Sequence, residues 1–380
     1  MNSAIISLSV RPNRTVQPGM GVADLIRPTI FGRLAEGGSK DVAFLILHPA
    51  VNFMNHYLIA PLQKRGYGVL GLNTRYVNND SQLMMEHVIQ DVGAGVKHLR
   101  DLGYKRIIFI GNSGGGPVGC FYQAQAENLT ISTYPDGRPL EIDAADLPPV
   151  DGIIMASAHT SRAHQLRDNL DPAVIDENDP FSSDPDLDMF DPRNGPPYSE
   201  EFLVRYKAGQ AARYDRINDW VLRKLRQIDA MGSEGRIVDL SFVIHRTYAR
   251  PQTMDLSLDP TDRPAQQAVW GGALATNYSS NSVLGRYTTL RTFLSQWSKL
   301  SRADGPASLA QTTVPVLTVL YSGDEGLDQS DMAKYSEASG SRGTDYILKG
   351  ATHFPYRQPD GDKIIDTLAA RIEEWVRATF

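Results

Sequence analysis

The stretch that decides the fold runs Arg106-Ile107-Ile108-Phe109-Ile110-Gly111-Asn112-Ser113-Gly114-Gly115-Gly116-Pro117-Val118-Gly119. Its opening apolar run is too short for a helix and reads as a strand buried on both faces. Gly-x-Ser-x-Gly follows at once, and the stretch after it reads as a helix. A serine lifted on a tight strand-to-helix turn sits in a crowded backbone conformation, so flanking glycines leave space for the chain to turn and for the helix to approach. Ser113 is therefore expected above the carboxyl edge of a sheet, where ligands bind in open α/β folds.

Working outward, residues 42–47 (VAFLIL), 68–72 (GVLGL) and 152–156 (GIIMA) read as further buried strands. Between them, 55–65 and 83–102 read as helices. The latter places Met84, Val88, Val92, Val96 and Leu99 at helical spacing on one face. Strands alternating with helices imply a parallel sheet with right-handed crossovers. Residues 4–10 and 28–34 suit antiparallel lead-in strands, and 129–142, with Pro135-Asp136-Gly137 at its centre, suits a hairpin.

The rhythm stops after residue 157 and returns with a strand at 314–321, another at 345–348 and a helix at 363–379. An interruption of about 150 residues is too long for a structureless loop. The expected class is α/β, a mostly parallel sheet flanked by helices, with a core of 1–157 and 310–380 and a large, mainly helical cap at 158–309. Within the cap, 171–191 holds eight acidic residues and no basic one and reads as a solvated surface loop. Residues 202–228 form an amphipathic helix, with Leu203, Tyr206, Tyr214, Ile217, Val221, Leu225 and Ile228 on one side and Arg205, Lys207, Arg213, Arg216, Arg223 and Arg226 around it. Because Asp215 and Asp219 interleave with the bases, this helix is expected to bury its stripe over the core rather than lie on a membrane.

A serine hydroxyl is a poor nucleophile and needs a base that is itself oriented by an acid. Ser322-Gly323-Asp324-Glu325-Gly326 directly follows the strand at 314–321, and Gly350-Ala351-Thr352-His353-Phe354 follows the strand ending at Leu348. The chain order Ser113, Asp324, His353 is one of the known orders of such triads. Glu325 competes with Asp324 for the acid's place, and the shorter side chain of Asp324 suits a fixed bond to an imidazole better. His159 and His164 follow the strand at 152–156, and His159 is the better placed to line a pocket. Cys120 reads as a small buried hydrophobe.

Two rival motifs are present. Gly114-x-Gly116-x-x-Gly119 matches a dinucleotide fingerprint, with Glu141 about 20 residues on. Two core strands already precede the site, and a turn signal breaks the stretch before Glu141, so that reading is set aside. Asp184, Asp186, Asp188 and Asp191 resemble a calcium loop, yet Met189 and Gly195 stand where its glycine and bidentate glutamate are required.

Taken together, His48-Pro49-Ala50, residues 111–115, Gly323-Asp324 and residues 350–353 resemble the α/β-hydrolase superfamily over 28–157 and 310–380. The resemblance implies a Ser113, Asp324, His353 triad and an oxyanion hole formed by the Gly114 N–H and one N–H from the loop after 42–47. Relatives often carry His-Gly in that loop, whereas this chain has His48-Pro49. Proline has no N–H, so the second donor is expected at Ala50 or else Val51. The activity implied is hydrolysis of a carboxylic ester or a lactone through an acyl-enzyme, without cofactor or metal. Amide, thioester and carbon–carbon bond cleavage and acyl transfer use the same apparatus, and a ligand-binding protein that keeps only the fold is a remote alternative.

Composition agrees with this reading. With 38 basic and 44 acidic residues the net charge is −6, which argues against binding nucleic acid or an anionic membrane. One cysteine rules out an intrachain disulfide framework and fits a reducing compartment. The first ten residues lack a basic leader pattern, and no apolar run approaches the roughly 18 residues that cross a bilayer. A cytoplasmic protein acting on a small molecule is expected. Tyr206, Tyr214, Trp220, Trp270 and Tyr278 in the cap favour an apolar or aromatic substrate.

Overall fold

Short apolar runs bounded by turns become strands here because each can bury both faces. A computed structural model describes residues 3–12, 28–232, 239–279 and 284–380. Among them β1 (Ser3–Ser9), β2 (Thr29–Ala35), β3 (Val42–His48), β4 (Gly68–Asn73), β5 (Arg106–Ser113), β6 (Gly152–Ala158), β7 (Val316–Tyr321) and β8 (Gly343–Leu348) form one sheet. Its order is β1-β2-β4-β3-β5-β6-β7-β8. β2 runs antiparallel to β1 and β4, and the remaining pairs are parallel. Every residue of β3, β4, β6 and β7 is buried.

Side chains alternate across each strand, so the inner strands feed two cores. Leu45 and Leu47 of β3 meet Val88, Val92 and Val96 of helix α2 (Met85–Asp101) and Val118 and Phe121 of helix α3 (Gly115–Glu127). On the other face, Phe44 and Ile46 join Ile59 and Leu62 of helix α1 (Ile59–Lys64) and Leu368, Ile372 and Trp375 of the terminal helix Gly361–Thr379. Two expectations are corrected. The helix expected at 55–65 starts only at Ile59, since Asn55–Leu58 are held in turns by bonds such as His56 N–H to the Phe53 carbonyl at 3.1 Å. The hairpin expected at 129–142 shrinks to the single bridge Thr133 to Pro139, flanked by bonds from the Tyr134 N–H to the Arg138 carbonyl and from the Leu140 N–H to the Ser132 carbonyl, each at 2.9 Å.

Between β6 and β7 the chain leaves the sheet. Helix α4 (Arg162–Asn169) and helix α5 (Glu200–Ala230) dominate this insertion. Ser199 caps α5 by accepting the Phe202 N–H at 3.1 Å. The stripe of α5 does not cover the sheet as expected. Tyr214, Ile217, Val221 and Leu225 pack on Phe293, Leu294 and Trp297, and Phe202 and Tyr206 pack on Met189 and Tyr198, so the insertion has cores of its own. Arg213, expected on the polar flank, is fully buried and donates to Glu177 and to the carbonyls of Asp171 and His245.

The acidic stretch 171–191 is likewise not uniformly solvated. Asp171 is fully buried between Arg246, at 2.7 Å, and Asn277, at 2.7 Å, and Val174–Asp176 pairs with Asp179–Ser183 as a small ribbon. Later in the insertion the chain rejoins the core, where Ala303 and Leu309 pack in the same cluster as Phe121.

Close approach of α3 to β3 is what glycine permits here: a Cβ on Gly115 would lie 2.2 Å from the Leu47 carbonyl oxygen. Gly115→Ala is therefore expected to destabilise the fold by about 1–3 kcal/mol. Gly38→Ala, which meets nothing within 4 Å, should be close to neutral. Urea denaturation midpoints at constant slope check both.

Candidate active site

β3 and β5, at the centre of the sheet, end in the polar residues His48 and Ser113, and both line one cavity. Ser113 closes β5 with φ of 54°, a left-handed conformation that costs energy in a residue bearing a Cβ. The surroundings hold it there. Its carbonyl accepts the His159 N–H at 3.1 Å, and the preceding Asn112 donates its side-chain amide to the Ala156 carbonyl at 2.6 Å. α3 begins two residues later, so the serine occupies the strand-to-helix turn foreseen for it.

Asp324 lies in the turn after β7, and His353 follows β8. The Asp324 carboxylate accepts from His353 Nδ1 at 2.7 Å, from Ser157 Oγ at 2.5 Å and from the Gly326 N–H at 2.7 Å. Glu325 turns elsewhere: its carboxylate accepts the backbone N–H of His353 at 3.2 Å. Burial alone would push Asp324 up, but the charge and hydrogen bond of His353 outweigh it and hold the carboxyl below its ordinary value. For His353, burial pulls down while Asp324 pulls up more strongly, so the imidazole rises above 6.5.

His48 ends β3. Its Nδ1 accepts the N–H groups of Ala50, at 3.1 Å, and Val51, at 3.0 Å. This corrects the expectation that Ala50, or else Val51, offers a free N–H to an oxyanion: both are turned toward the His48 ring. The ring's other nitrogen faces Gly114, where an added Cβ would lie 2.9 Å from Nε2. Burial foremost, together with the positive charge of Arg162, drives the His48 pKa well below 6.5, so the ring is neutral.

Ser113, Gly114, His48, His159 and His353 line one cavity of about 60 Å³, completed by Arg162, Gln165, Tyr248, Trp270, Trp297 and aliphatic neighbours. His159 lies in this wall. Its ring centroid is 6.1 Å from that of His353, its Nδ1 makes no hydrogen bond, and burial pushes its pKa down to about 3. His164 lines a separate, larger cavity of about 470 Å³ beside α4 and α5. Of the aromatic residues singled out in the insertion, Trp270 reaches the small cavity, whereas Tyr206, Tyr214 and Trp220 pack inside the insertion. Arg162, Tyr248 and Trp297 were not foreseen in the wall, since nothing in their spacing marks them.

The rival motifs find structural explanations. Gly116 and Gly119 let α3 approach the sheet, where a Cβ would come within 2.4 Å of Ala158 and of the Phe109 ring. Glu141 is exposed in a loop rather than at a strand's end. Asp184, Asp188 and Asp191 each accept a backbone N–H two residues on, closing their own turns. Among the described residues no cluster of three or more His, Cys, Asp or Glu could hold a metal ion. Cys120 is buried in the core, and burial pushes its thiol well above 9. No described helix is long and apolar enough to cross a membrane.

No family model and no curated protein matches this chain. Solved structures do. DcsB, determined in complex with its substrate analogue, is similar with a TM-score of 0.54 at 14% identity, covering 100% of both chains. The α/β hydrolase GrgF from Penicillium sp. is similar with a TM-score of 0.52 at 12% identity, covering 100% of this chain and 99% of that one. A hypothetical protein from Pseudomonas aeruginosa is similar with a TM-score of 0.51 at 12% identity, covering 98% and 93%. The sheet order, the crossovers and these likenesses agree: the chain has the α/β-hydrolase fold, with a large helical insertion between β6 and β7.

Proposed function

We propose that this protein is a serine hydrolase that cleaves a carboxylic ester or a lactone through an acyl-enzyme on Ser113. The observation that carries the reading is the 2.7 Å bond between Asp324 and His353 Nδ1 beside a cavity that Ser113 also lines. With Nδ1 bound to the acid, Nε2 of His353 is the nitrogen that can take a proton. It removes the Ser113 hydroxyl proton as Oγ attacks the acyl carbon, and the carbonyl oxygen becomes an oxyanion held by the Gly114 N–H. Collapse of this intermediate breaks the bond to the leaving alkoxide, which takes the proton from His353. Water then attacks the acyl-enzyme with His353 again as base, releasing the acid and restoring Ser113. These steps use protein groups and water alone.

Residues 158–309 serve, in this reading, as the cap that selects substrate over the core of 1–157 and 310–380. Trp270, Trp297 and Tyr248 give the cavity an apolar wall. The cavity they line has a volume of about 60 Å³.

Ser113→Ala and His353→Ala should each lower kcat on an activated acetyl ester by at least about 10³-fold. Variants as fast as the parent would rule the reading out. Asp324→Asn should cost about 10⁴-fold, and Glu325→Gln less than about tenfold, because only the first orients the imidazole. The base works unprotonated, so kcat/KM should rise with pH through a midpoint above 6.5, the direction in which His353 is displaced. In Asp324→Asn the residual activity should show that limb moved to lower pH, since burial is then opposed only by the charge of Glu325. A limb that stays put in this variant contradicts the pairing.

A further inference from the structure

The two backbone N–H groups expected to offer a second oxyanion donor are both engaged by the side chain of His48. The Ala50 and Val51 N–H groups both donate to His48 Nδ1, at 3.1 and 3.0 Å. A nitrogen that accepts two N–H groups carries no proton of its own, so the single proton of the neutral ring resides on Nε2. Among the described residues no protein group accepts that proton. Nε2 instead faces Gly114, where an added Cβ would lie 2.9 Å from it, in the wall of the cavity lined by Ser113 and His353.

We propose that His48 is a catalytic residue whose Nε2–H forms the oxyanion hole together with the Gly114 N–H. This rests on the hydrolase reading given above. The loop after β3 then contributes through its histidine, with the backbone of Ala50 and Val51 fixing the ring rather than touching substrate. Burial supports the role, because a ring that stays neutral across the working pH range keeps one defined donor. Pro49 fits the same picture. It removes one N–H from the turn, and its carbonyl accepts the Thr74 hydroxyl at 2.6 Å, anchoring the loop to the chain beyond β4. Gly114 is required by the same geometry, since any side chain there would collide with the donor.

The test compares the parent with His48→Asn and His48→Gln on the activated acetyl ester. Asparagine offers an acceptor near the Nδ1 position but nothing at Nε2, whereas glutamine can place an amide N–H near Nε2. His48→Asn should lose about 10²–10³-fold in kcat with KM changed less than about threefold, the signature of an interaction made in the transition state. His48→Gln should recover at least about tenfold of that loss. A folded His48→Asn variant with kcat within about threefold of an active parent overturns the inference alone. An inactive parent overturns the hydrolase reading, and the inference with it.

Nitrogen-15 histidine NMR of the parent decides the matter should the variants fail to fold. His48 must appear as the neutral Nε2–H tautomer, and its Nε2–H proton must move downfield when Ser113 is phosphonylated. An Nδ1–H tautomer, or a resonance unmoved by the adduct, overturns the assignment.

Discussion

The Asp324 carboxylate is the charge around which the site is assembled. Taking a carboxylate out of water costs several kcal/mol even in a real protein interior, and the cost is offset only where donors are in place. Here three are: His353 Nδ1, Ser157 Oγ and the Gly326 N–H. They come from the segment after β8, the end of β6 and Asp324's own turn after β7. Since β6, β7 and β8 are neighbours in the sheet, the register of parallel pairing sets the distances between these groups. The ladder hydrogen bonds thus hold the acid to its partners, and a buried, fully bonded carboxylate in turn holds the imidazole ring.

The same logic extends along the carboxyl edge. β3 ends in His48, β4 in Asn73, β5 in Asn112 and Ser113, and β6 has Ser157 as its penultimate residue. Otherwise apolar strands thus become polar at one end, and buried polar groups need partners. Asn73 accepts the Phe53 N–H at 2.9 Å, and the Asn112 side chain meets His56 Nε2 at 3.3 Å as well as the Ala156 carbonyl. The loops that surround the cavity are therefore pinned by the strands' own last side chains. Ser113 at φ of 54° and Ser157 at φ of 45° are strained positions within that frame, and the bonds on either side of them sustain the strain.

Most of the sheet was legible in the sequence, because a strand buried on both faces declares itself as an apolar run and a strand-to-helix turn declares itself by glycine. Ser113, Asp324 and His353 were legible for the same reason: each follows such a run. The choice of Asp324 over Glu325 rested on side-chain length alone, and in the structure Asp324 bonds the imidazole while Glu325 bonds the backbone. Partnerships across long sequence separations were not legible. Asp171 reads as one solvated acid among eight until Arg246 and Asn277 are brought to it, and Arg213 reads as a polar-flank base until Glu177 closes on it. His48 was read for the backbone of its loop, and only the folded loop shows its ring accepting the N–H groups that were expected to stay free.

The insertion is tied to the candidate site through the loop that carries Asp324. Arg250, buried, donates to the Gly326 carbonyl at 2.8 Å and pairs with Asp328, which also takes Arg263 at 3.0 Å. Tyr248 donates its hydroxyl to the Glu325 carbonyl at 3.0 Å and lines the cavity as well. These bonds grip Glu325, Gly326 and Asp328, residues that immediately follow Asp324. Buried charges with fixed partners are costly to separate, so this part of the insertion cannot swing away from the core without breaking a satisfied polar cluster beside the acid. A segment that lines the cavity of Ser113 and His353 thereby also holds the residues next to the carboxylate that bonds His353, so the wall of the cavity and the Asp324–His353 pair are built as one unit.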